Sequence, residues 1–334
     1  MRRFFCCIFI VLIVLLAAAS VSLAGPLPLD FVFEAVEGFR AEGFTHSAEF
    51  VEAGPWLSAV IMKEGHFEGF GHGVEWIGLV FDLETGDRIT WDDLFADGDA
   101  AAEAIEGIAS ASSFRNAYSE HDAISPVPRD NFAVSGDTLT VYYPVDQLSH
   151  FSGRCGAFSF YAYELSGLLK EDIPLHGGDP ASAKEALAAA LAAKALPGPL
   201  SKWAIGGAMI DAKNELTLVD VPDFSYDYAI YRFEAPEMRG VSLLSNPDED
   251  NAETATIAGI MAERIDFSGL CTGVSSREDC VAALGNPDGT EFVNESDAYS
   301  RLPVGETLRW LGGGVALEMH FVQDVLHSVT IRLI

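Results

Sequence analysis

The stretch GFGHGVEWIGLVFDLETGDRITWDDLF, Gly69–Phe95, combines a bend, a strand, a turn and the start of a helix. Three glycines in GFGHG at its beginning indicate a bend of the backbone. From Trp76 to Leu83 successive side chains alternate between two faces, as they do in a half-buried β-strand. The sequence ETGD at 84–87 then supplies the residues of a tight turn. The stretch therefore predicts a hairpin strand that leads into a helix.

Thr90 and Asp93 mark the start of that helix. Their three-residue spacing is typical of a capping box, so the helix should begin near Trp91. The alanine-rich residues that follow predict that it continues for several turns, with an interruption at Gly98.

Hairpin signals lie on both sides of this stretch. Ala53-Gly54-Pro55 separates two apolar runs before it, and Ser135-Gly136-Asp137 separates two more after it. AFSFYAYEL, Ala157–Leu165, alternates again. We expect an antiparallel sheet with a helix packed on it, which makes residues 25–175 an α+β domain.

The rest of the chain predicts a second domain of the same class. An Ala- and Leu-rich stretch within residues 176–200 indicates a helical linker. In residues 201–334, Ser276 and Asp279 form a second capping-box pattern, and several alternating runs predict strands. A chain of 334 residues suits two domains. The expected fold class is α+β, with two domains, each an antiparallel β-sheet packed against one or two helices.

The first residues, MRRFFCCIFIVLIVLLAAASVSLAG, have the pattern of an export signal. Two arginines precede an apolar run, and Ser22-Leu23-Ala24 forms a small-x-small cleavage site. We expect a signal peptide over residues 1–24 and a secreted or periplasmic location. The alternative is an uncleaved membrane anchor, because Phe4–Ala24 is just long enough to span a bilayer.

Acidic residues dominate the charge of the chain, with 50 Asp and Glu against 20 Lys and Arg. Loss of Arg2 and Arg3 with the signal peptide would change the net charge from -30 to -32. Such a field repels phosphates and anionic lipids, so we expect no nucleic-acid partner, and membrane contact only through an uncleaved signal segment. It attracts a cationic partner, although the charge can also serve solubility alone.

Three cysteines remain after cleavage: Cys155, Cys271 and Cys280. An oxidising compartment permits a disulfide, and the short spacing makes Cys271 with Cys280 the best candidate pair. Cys155 would then be a single thiol. The alternative is three reduced cysteines that act as small buried apolar residues.

Residues His46 to about Lys170 resemble the extracellular domain of the RsiV type. The resemblance rests on three segments in this order and spacing: GFGHG, FDLETGDRITWDDLF and the long stretch Phe132–Leu165. That domain occurs in an anti-sigma factor that senses lysozyme, and beside a catalytic module in some peptidoglycan deacetylases. The resemblance implies a cell-envelope setting. Neither a sigma-binding segment nor a deacetylase module is present, so an anti-sigma role does not follow.

Residues from about Ile257 to Ile334 resemble the β-lactamase-inhibitor-like fold. This resemblance rests on the segment GVSSREDCVAALGNPDG, Gly273–Gly289, and on the aromatic strand after it, which reaches Trp310. The pattern is one of helix capping, so it implies a fold and not the inhibition of a β-lactamase.

His72 is the strongest candidate for chemistry, because its flanking glycines allow the backbone to approach a ligand closely. As a base it would be oriented by Asp82, Asp92 or Asp93; otherwise it is a turn or hydrogen-bonding residue. His66 lies six positions earlier, which is not a recognised ligand spacing, and neither H-E-x-x-H nor C-x-x-C occurs. The acidic loop with Asp248, Asp250, Asn251 and Glu253 lacks the complete EF-hand pattern. We expect no metal and no cofactor.

Aromatic residues offer a binding surface instead. The candidate ligand-binding residues are His72, Trp76, Tyr142, Tyr161 and Tyr163. In FSFYAY, Phe158–Tyr163, both faces are aromatic, and only one of them can point into a single core. The face with Tyr161 and Tyr163 either binds a partner or is covered by a helix or the neighbouring domain.

These features together predict a secreted, non-enzymatic binding or sensor protein. Its expected partner is a cell-wall glycan or a basic wall-active protein such as lysozyme. Two alternatives remain open: a cell-wall hydrolase that uses His72 and nearby carboxylates, and a structural envelope module. The sequence sets no oligomeric state.

Overall fold

The computed structural model describes residues 30–111, 124–147, 156–215, 217–218, 223–224, 229–235, 238–249, 251–294 and 302–334. The expected signal peptide, residues 1–24, and Cys155 lie outside these ranges. None of the helices within them is long and apolar enough to cross a bilayer.

The chain begins with one helix and a three-stranded meander. Helix α1 spans Asp30–Glu37, and strands β1, β2 and β3 span Thr45–Ala53, Trp56–Phe67 and Gly71–Asp82. They pair in this order, antiparallel throughout. The bend predicted for GFGHG is shorter than expected: β3 already includes His72 and the glycine after it, because the glycines at 69 and 71 suffice to turn the chain.

A second three-stranded sheet follows two helices. Helices α2 and α3 span Trp91–Leu94 and Gly98–Ala111, and strands β4, β5 and β6 span Phe132–Ser135, Thr138–Tyr143 and Gly156–Tyr161. The predicted capping box at Thr90 is present. The sequence predicted one helix with an interruption at Gly98, and the structure has two separate helices there. The Asp97 side chain accepts hydrogen bonds from the N–H groups of Asp99 and Ala100, and so starts α3 as a new helix.

The two small sheets pack against each other at β4. The Ser58 hydroxyl donates to the carbonyl of Val134 at 2.7 Å and accepts from its N–H at 2.9 Å. The Asn131 side chain accepts from the N–H of Gly78 at 2.7 Å and donates to the carbonyl of Trp76 at 3.2 Å. Glycine is required at 78, because a Cβ there would meet the backbone of Phe132.

The elements up to Leu175 form what we call the N-terminal unit, and those from Ala183 onward the C-terminal unit; residues 176–182 connect them. The second unit begins with helices α4, Ala183–Ala193, and α5, Met209–Glu215. Short 3-10 turns cover Ala162–Leu165, Pro180–Ser182 and Gly198–Lys202.

The other elements of the C-terminal unit are one helix, α6, and strands β7 to β17. In chain order they are β7 Thr217–Leu218, β8 Asp223–Phe224, β9 Ala229–Ala235, β10 Met238–Ser245, β11 Gly259–Ala262, β12 Asp266–Phe267, β13 Leu270–Cys271, α6 Arg277–Leu284, β14 Gly289–Val293, β15 Gly305–Gly312, β16 Val315–Val322 and β17 Val325–Leu333. Among the described residues, nine of these strands form one antiparallel sheet in the order β14-β15-β16-β17-β11-β10-β9-β7, with β8 also paired to β9, while β12 and β13 form a separate hairpin.

The expected α+β class is confirmed, since antiparallel sheets pack against a few helices in both units. The helix predicted as a linker, α4, buries Ala183, Leu187 and Ala190 in the core of the C-terminal unit. There it lies against α6 and strands β15 and β16. The N-terminal unit has its own core, which Trp91, Phe158 and other residues fill.

Candidate functional site

A cleft with a volume of about 410 Å³ lies where the two units meet. We call it the junction cleft. Its polar lining consists of Asp137, Tyr161, His176, Asp266 and Ser268. The first two residues belong to the N-terminal unit, and the last two belong to the hairpin of β12 and β13 in the C-terminal unit. Both units are therefore needed to form the cleft.

Asp137 reaches the cleft from the tight turn between β4 and β5. Gly136, with φ of 58°, adopts the left-handed conformation that this turn needs. The Asp137 carbonyl accepts a hydrogen bond of 2.8 Å from the N–H of Ala162, which fixes the turn against the end of β6. Tyr161, the last residue of β6, lies at this same edge.

Asp266 is buried and held by backbone amides. One carboxylate oxygen accepts from the N–H of Gly178 at 2.7 Å, and the other accepts from the N–H of Gly269. The Asp266 side chain also interacts with the thiol of Cys271. These donors supply hydrogen bonds to a carboxylate that is shielded from water. Asp266 therefore has a fixed position.

Asp137 has no comparable set of donors to its carboxylate, and its pKa is raised to about 6. Burial is the largest cause, and the negative charge of Asp266 is the second. Burial, followed by the charge of Asp137, also raises the pKa of Tyr161. The cleft thus has negative charge in a place that is partly shielded from water, which favours a cationic group.

The wall beside the cleft is built from the aromatic face of β6 and the turn after it. Tyr161 and Tyr163 stack with ring centroids 5.6 Å apart and planes inclined by 16°. The Tyr163 hydroxyl forms a hydrogen bond of 3.2 Å with that of Thr272 in the C-terminal unit. Of the two predicted tyrosines, Tyr161 lines the cleft and Tyr163 contacts the neighbouring unit.

The other three candidate residues lie on a different surface. His72 and Trp76 point to the same face of β3, since four residues separate them. His72 is exposed and Trp76 is half-buried. Tyr142 approaches this face near Gly78, where an added Cβ would meet its ring. The five candidate residues thus divide between two places.

Asp82, one of the carboxylates considered as partners of His72, lies far from it. Asp82 is at the opposite end of β3, ten residues or roughly 33 Å away. It accepts from the N–H groups of Glu84 and Thr85 in the predicted turn. Asp93 caps α2 by accepting from the N–H of Thr90 at 2.8 Å. Asp82 and Asp93 therefore have local structural roles, and Asp82 is not placed to orient His72.

The possible disulfide is not formed in the structure either. Cys271 and Cys280 are both free and buried. Burial is the main cause that raises the pKa of each thiol to about 12. Cys280 packs in the core of the C-terminal unit, whereas the thiol of Cys271 also interacts with Asp266.

The acidic loop considered for Ca²⁺ is organised by its own hydrogen bonds. Asn251 accepts from the N–H of Glu253 at 2.9 Å, and Glu253 pairs with Lys213 at 3.4 Å. Asp250 lies outside the described residues. Across the ranges that are described, no group of three or more His, Cys, Asp or Glu side chains is arranged to hold a metal ion.

Four polar residues of the cleft were missed by the sequence reasoning: Asp137, His176, Asp266 and Ser268. Asp137 stands in a motif that identified a turn, and nothing in that motif indicates burial of the carboxylate. Asp137 and Asp266 are 129 positions apart in sequence, and they come close only because the two units pack together. A sequence pattern holds no signal for such a contact.

No family model and no curated protein matches the sequence. Among solved structures, a DUF4309 family protein from Bacillus subtilis subsp. subtilis str. 168 is similar at 12% identity and a TM-score of 0.35, over 46% of this chain and 97% of that one. A DUF3298 family protein from Pseudomonas aeruginosa PAO1 is similar at 12% identity and a TM-score of 0.32, over 44% and 71%. A DUF3298 member from Bacteroides fragilis NCTC 9343 is similar at 16% identity and a TM-score of 0.31, over 43% and 63%.

Proposed function

We propose that this chain is an exported, non-enzymatic binding protein of the cell envelope, and that its junction cleft receives a cationic side chain of a basic wall-active protein such as lysozyme. One observation carries the proposal. Asp137 and Asp266 face the same cleft, and the pKa of Asp137 is raised to about 6 by burial and by the charge of its neighbour.

A bound cation would relieve the repulsion between the two carboxylates. A lysine or arginine side chain offers a positive charge and several N–H donors, which the carboxylate oxygens accept. The ring of Tyr161 adds an aromatic surface on which a cation can lie. The binding energy would come from charge pairing in a place with reduced access to water.

The overall charge supports a basic protein more than a neutral glycan. A net charge of -30 attracts a positively charged partner from a distance and speeds its association. A neutral glycan gains nothing from this field. Its recognition would rest on the tyrosines and hydroxyl groups alone.

The positions of the carboxylates favour binding over hydrolysis. Both oxygens of Asp266 accept hydrogen bonds from backbone amides. These contacts occupy lone pairs that a nucleophile or a general base would use. Asp137 remains able to respond to a ligand, because a cation would offset the repulsion by Asp266 that contributes to its raised pKa.

Calorimetry on the mature protein would test this proposal, with hen lysozyme and purified muropeptides titrated in parallel at low salt. We expect heat with lysozyme, weakened by Asp137→Asn. The matched control Asp146→Asn changes the net charge equally at an exposed position near the other end of β5, and should preserve binding. Equal loss in both variants, or no heat with lysozyme in the wild type, would refute the proposal. Turnover of muropeptides would refute its non-enzymatic part.

A further inference from the structure

A pair of histidines projects from the hairpin of β2 and β3. His66 and His72 are direct partners in the antiparallel register, and both side chains are exposed. Residues that face each other in this way have Cβ atoms roughly 4.5–5.5 Å apart on the same face of the sheet. A spacing of six residues, which has no meaning as a ligand motif on a helix, therefore places two histidines directly opposite each other on this hairpin.

We propose that His66 and His72 together bind one divalent transition-metal ion, of the class of Zn²⁺, Ni²⁺ or Cu²⁺. Neutral imidazole is a preferred ligand of these ions. Two nitrogens bound to one tetrahedral zinc ion are roughly 3–3.5 Å apart, given bonds of about 2.0–2.1 Å. Side chains that start from neighbouring positions on one face reach this separation by rotation about their χ angles.

The opposite face of the hairpin holds this pair of positions in place. The ring of Phe44 lies directly on Gly65, where an added Cβ would come within 2.4 Å of it. Phe44 also meets Phe67 edge to face at 5.0 Å, and the Lys63 ammonium lies 4.5 Å from the Phe44 ring centre. Lys63 in turn pairs with Glu75 across the strands at 3.4 Å. The backbone under both histidines is therefore ordered before a metal arrives, which reduces the entropy lost on binding.

Nearby charge supports a cation at this place. Glu64 lies on the same face of β2, two positions before His66, and is half-buried. Its negative charge attracts a cation toward the two histidines, while water fills the other ligand positions. Hard cations such as Ca²⁺ prefer oxygen ligands and should not select this site.

Titration of the mature, tag-free protein with ZnCl2 and with NiCl2 would test this site, with CaCl2 as the comparison ion. We expect one Zn²⁺ or Ni²⁺ per chain at the strongest site. Loss of either imidazole in His66→Asn or His72→Asn should weaken that binding about tenfold or more, because one ligand then acts without the other. The control His46→Asn removes a histidine of β1 that faces the opposite side of the sheet, and should leave the affinity unchanged.

Imidazole proton resonances give a second measurement that does not depend on the affinity of the variants. Zn²⁺ should shift the ring signals of His66 and His72 together and leave those of His46 in place. Unchanged affinity in both hairpin variants, or equal loss in His46→Asn, would overturn the assignment. So would a wild-type protein that binds Ca²⁺ and Zn²⁺ equally, since the acidic surface would then be responsible.

Discussion

Arg264 of the C-terminal unit forms an ion pair with Glu164 of the N-terminal unit. The other carboxylate oxygen of Glu164 accepts from the N–H of Tyr161 at 2.9 Å, so the same side chain also fixes the last residue of β6. Only 11% of the Glu164 side chain and 22% of the Arg264 side chain are exposed. The contact between the units is therefore linked to the geometry of the junction cleft.

Glu164→Gln should lower the free energy of unfolding by about 2–3 kcal/mol. The amide still accepts from Tyr161, but the variant leaves the guanidinium of Arg264 half-buried without its charged partner. Urea unfolding followed by tryptophan fluorescence would measure the loss. Glu253→Gln breaks the exposed pair with Lys213 and should cost less than about 0.5 kcal/mol. Similar losses in the two variants would contradict this interpretation.

The local elements of the fold were predictable because their signals lie within a few residues. Thr90 with Asp93 and Ser276 with Asp279 both form capping boxes. Gly285, within the helix-capping pattern Gly273–Gly289, follows the last residue of α6 with φ of 88°. In each case the interacting groups are three to five positions apart, so the local backbone conformation decides where the helix begins or ends.

The arrangement of strands and units was not predictable in this way. The large sheet joins the last hairpin to earlier strands through β11, which pairs with both β10 and β17. The burial of Asp137 likewise depends on contacts with residues far away in sequence. The opposition of His66 and His72 could have been found, because it follows once the turn between β2 and β3 is placed at residues 68–70.

Asp137→Asn should stabilise the protein near neutral pH. The pKa of this carboxyl is raised from 3.8 to about 6, so between these values the folded chain binds a proton that the unfolded chain releases. The contribution of Asp137 to stability therefore increases as pH falls from about 7 to about 4. The asparagine variant removes this half-buried charge, and its Tm at pH 7 should be higher by about 2 °C.

Thermal unfolding of the wild type and Asp137→Asn at a series of pH values would check this dependence. The difference in Tm should shrink as the pH falls below 6. Asp146→Asn, at an exposed position, should give no such pH-dependent difference. A wild type that is more stable than Asp137→Asn at pH 7 would show that the carboxylate has favourable partners in the folded state.

Two glycine substitutions should change stability in opposite directions. A Cβ at Gly178 would come within 2.4 Å of the backbone nitrogen of Gly269, so Gly178→Ala should push the β12–β13 turn out of place and cost about 2–3 kcal/mol. Gly107 lies inside α3 with open space around it, and Gly107→Ala should stabilise by about 0.5–1 kcal/mol. Urea unfolding measures both. A neutral Gly178→Ala would mean that the backbone beside the cleft is free to move.

The thiols of Cys271 and Cys280 should resist alkylation in the folded protein. Burial raises the pKa of both to about 12, and only the thiolate is reactive. Iodoacetamide at pH 8 should leave both unmodified until the chain is unfolded in urea, as peptide mapping by mass spectrometry would show. Ser166→Cys supplies an exposed thiol that must react under native conditions. A peptide that joins Cys271 to Cys280 in a non-reducing digest would instead establish the disulfide, and rapid native alkylation of either residue would contradict its burial.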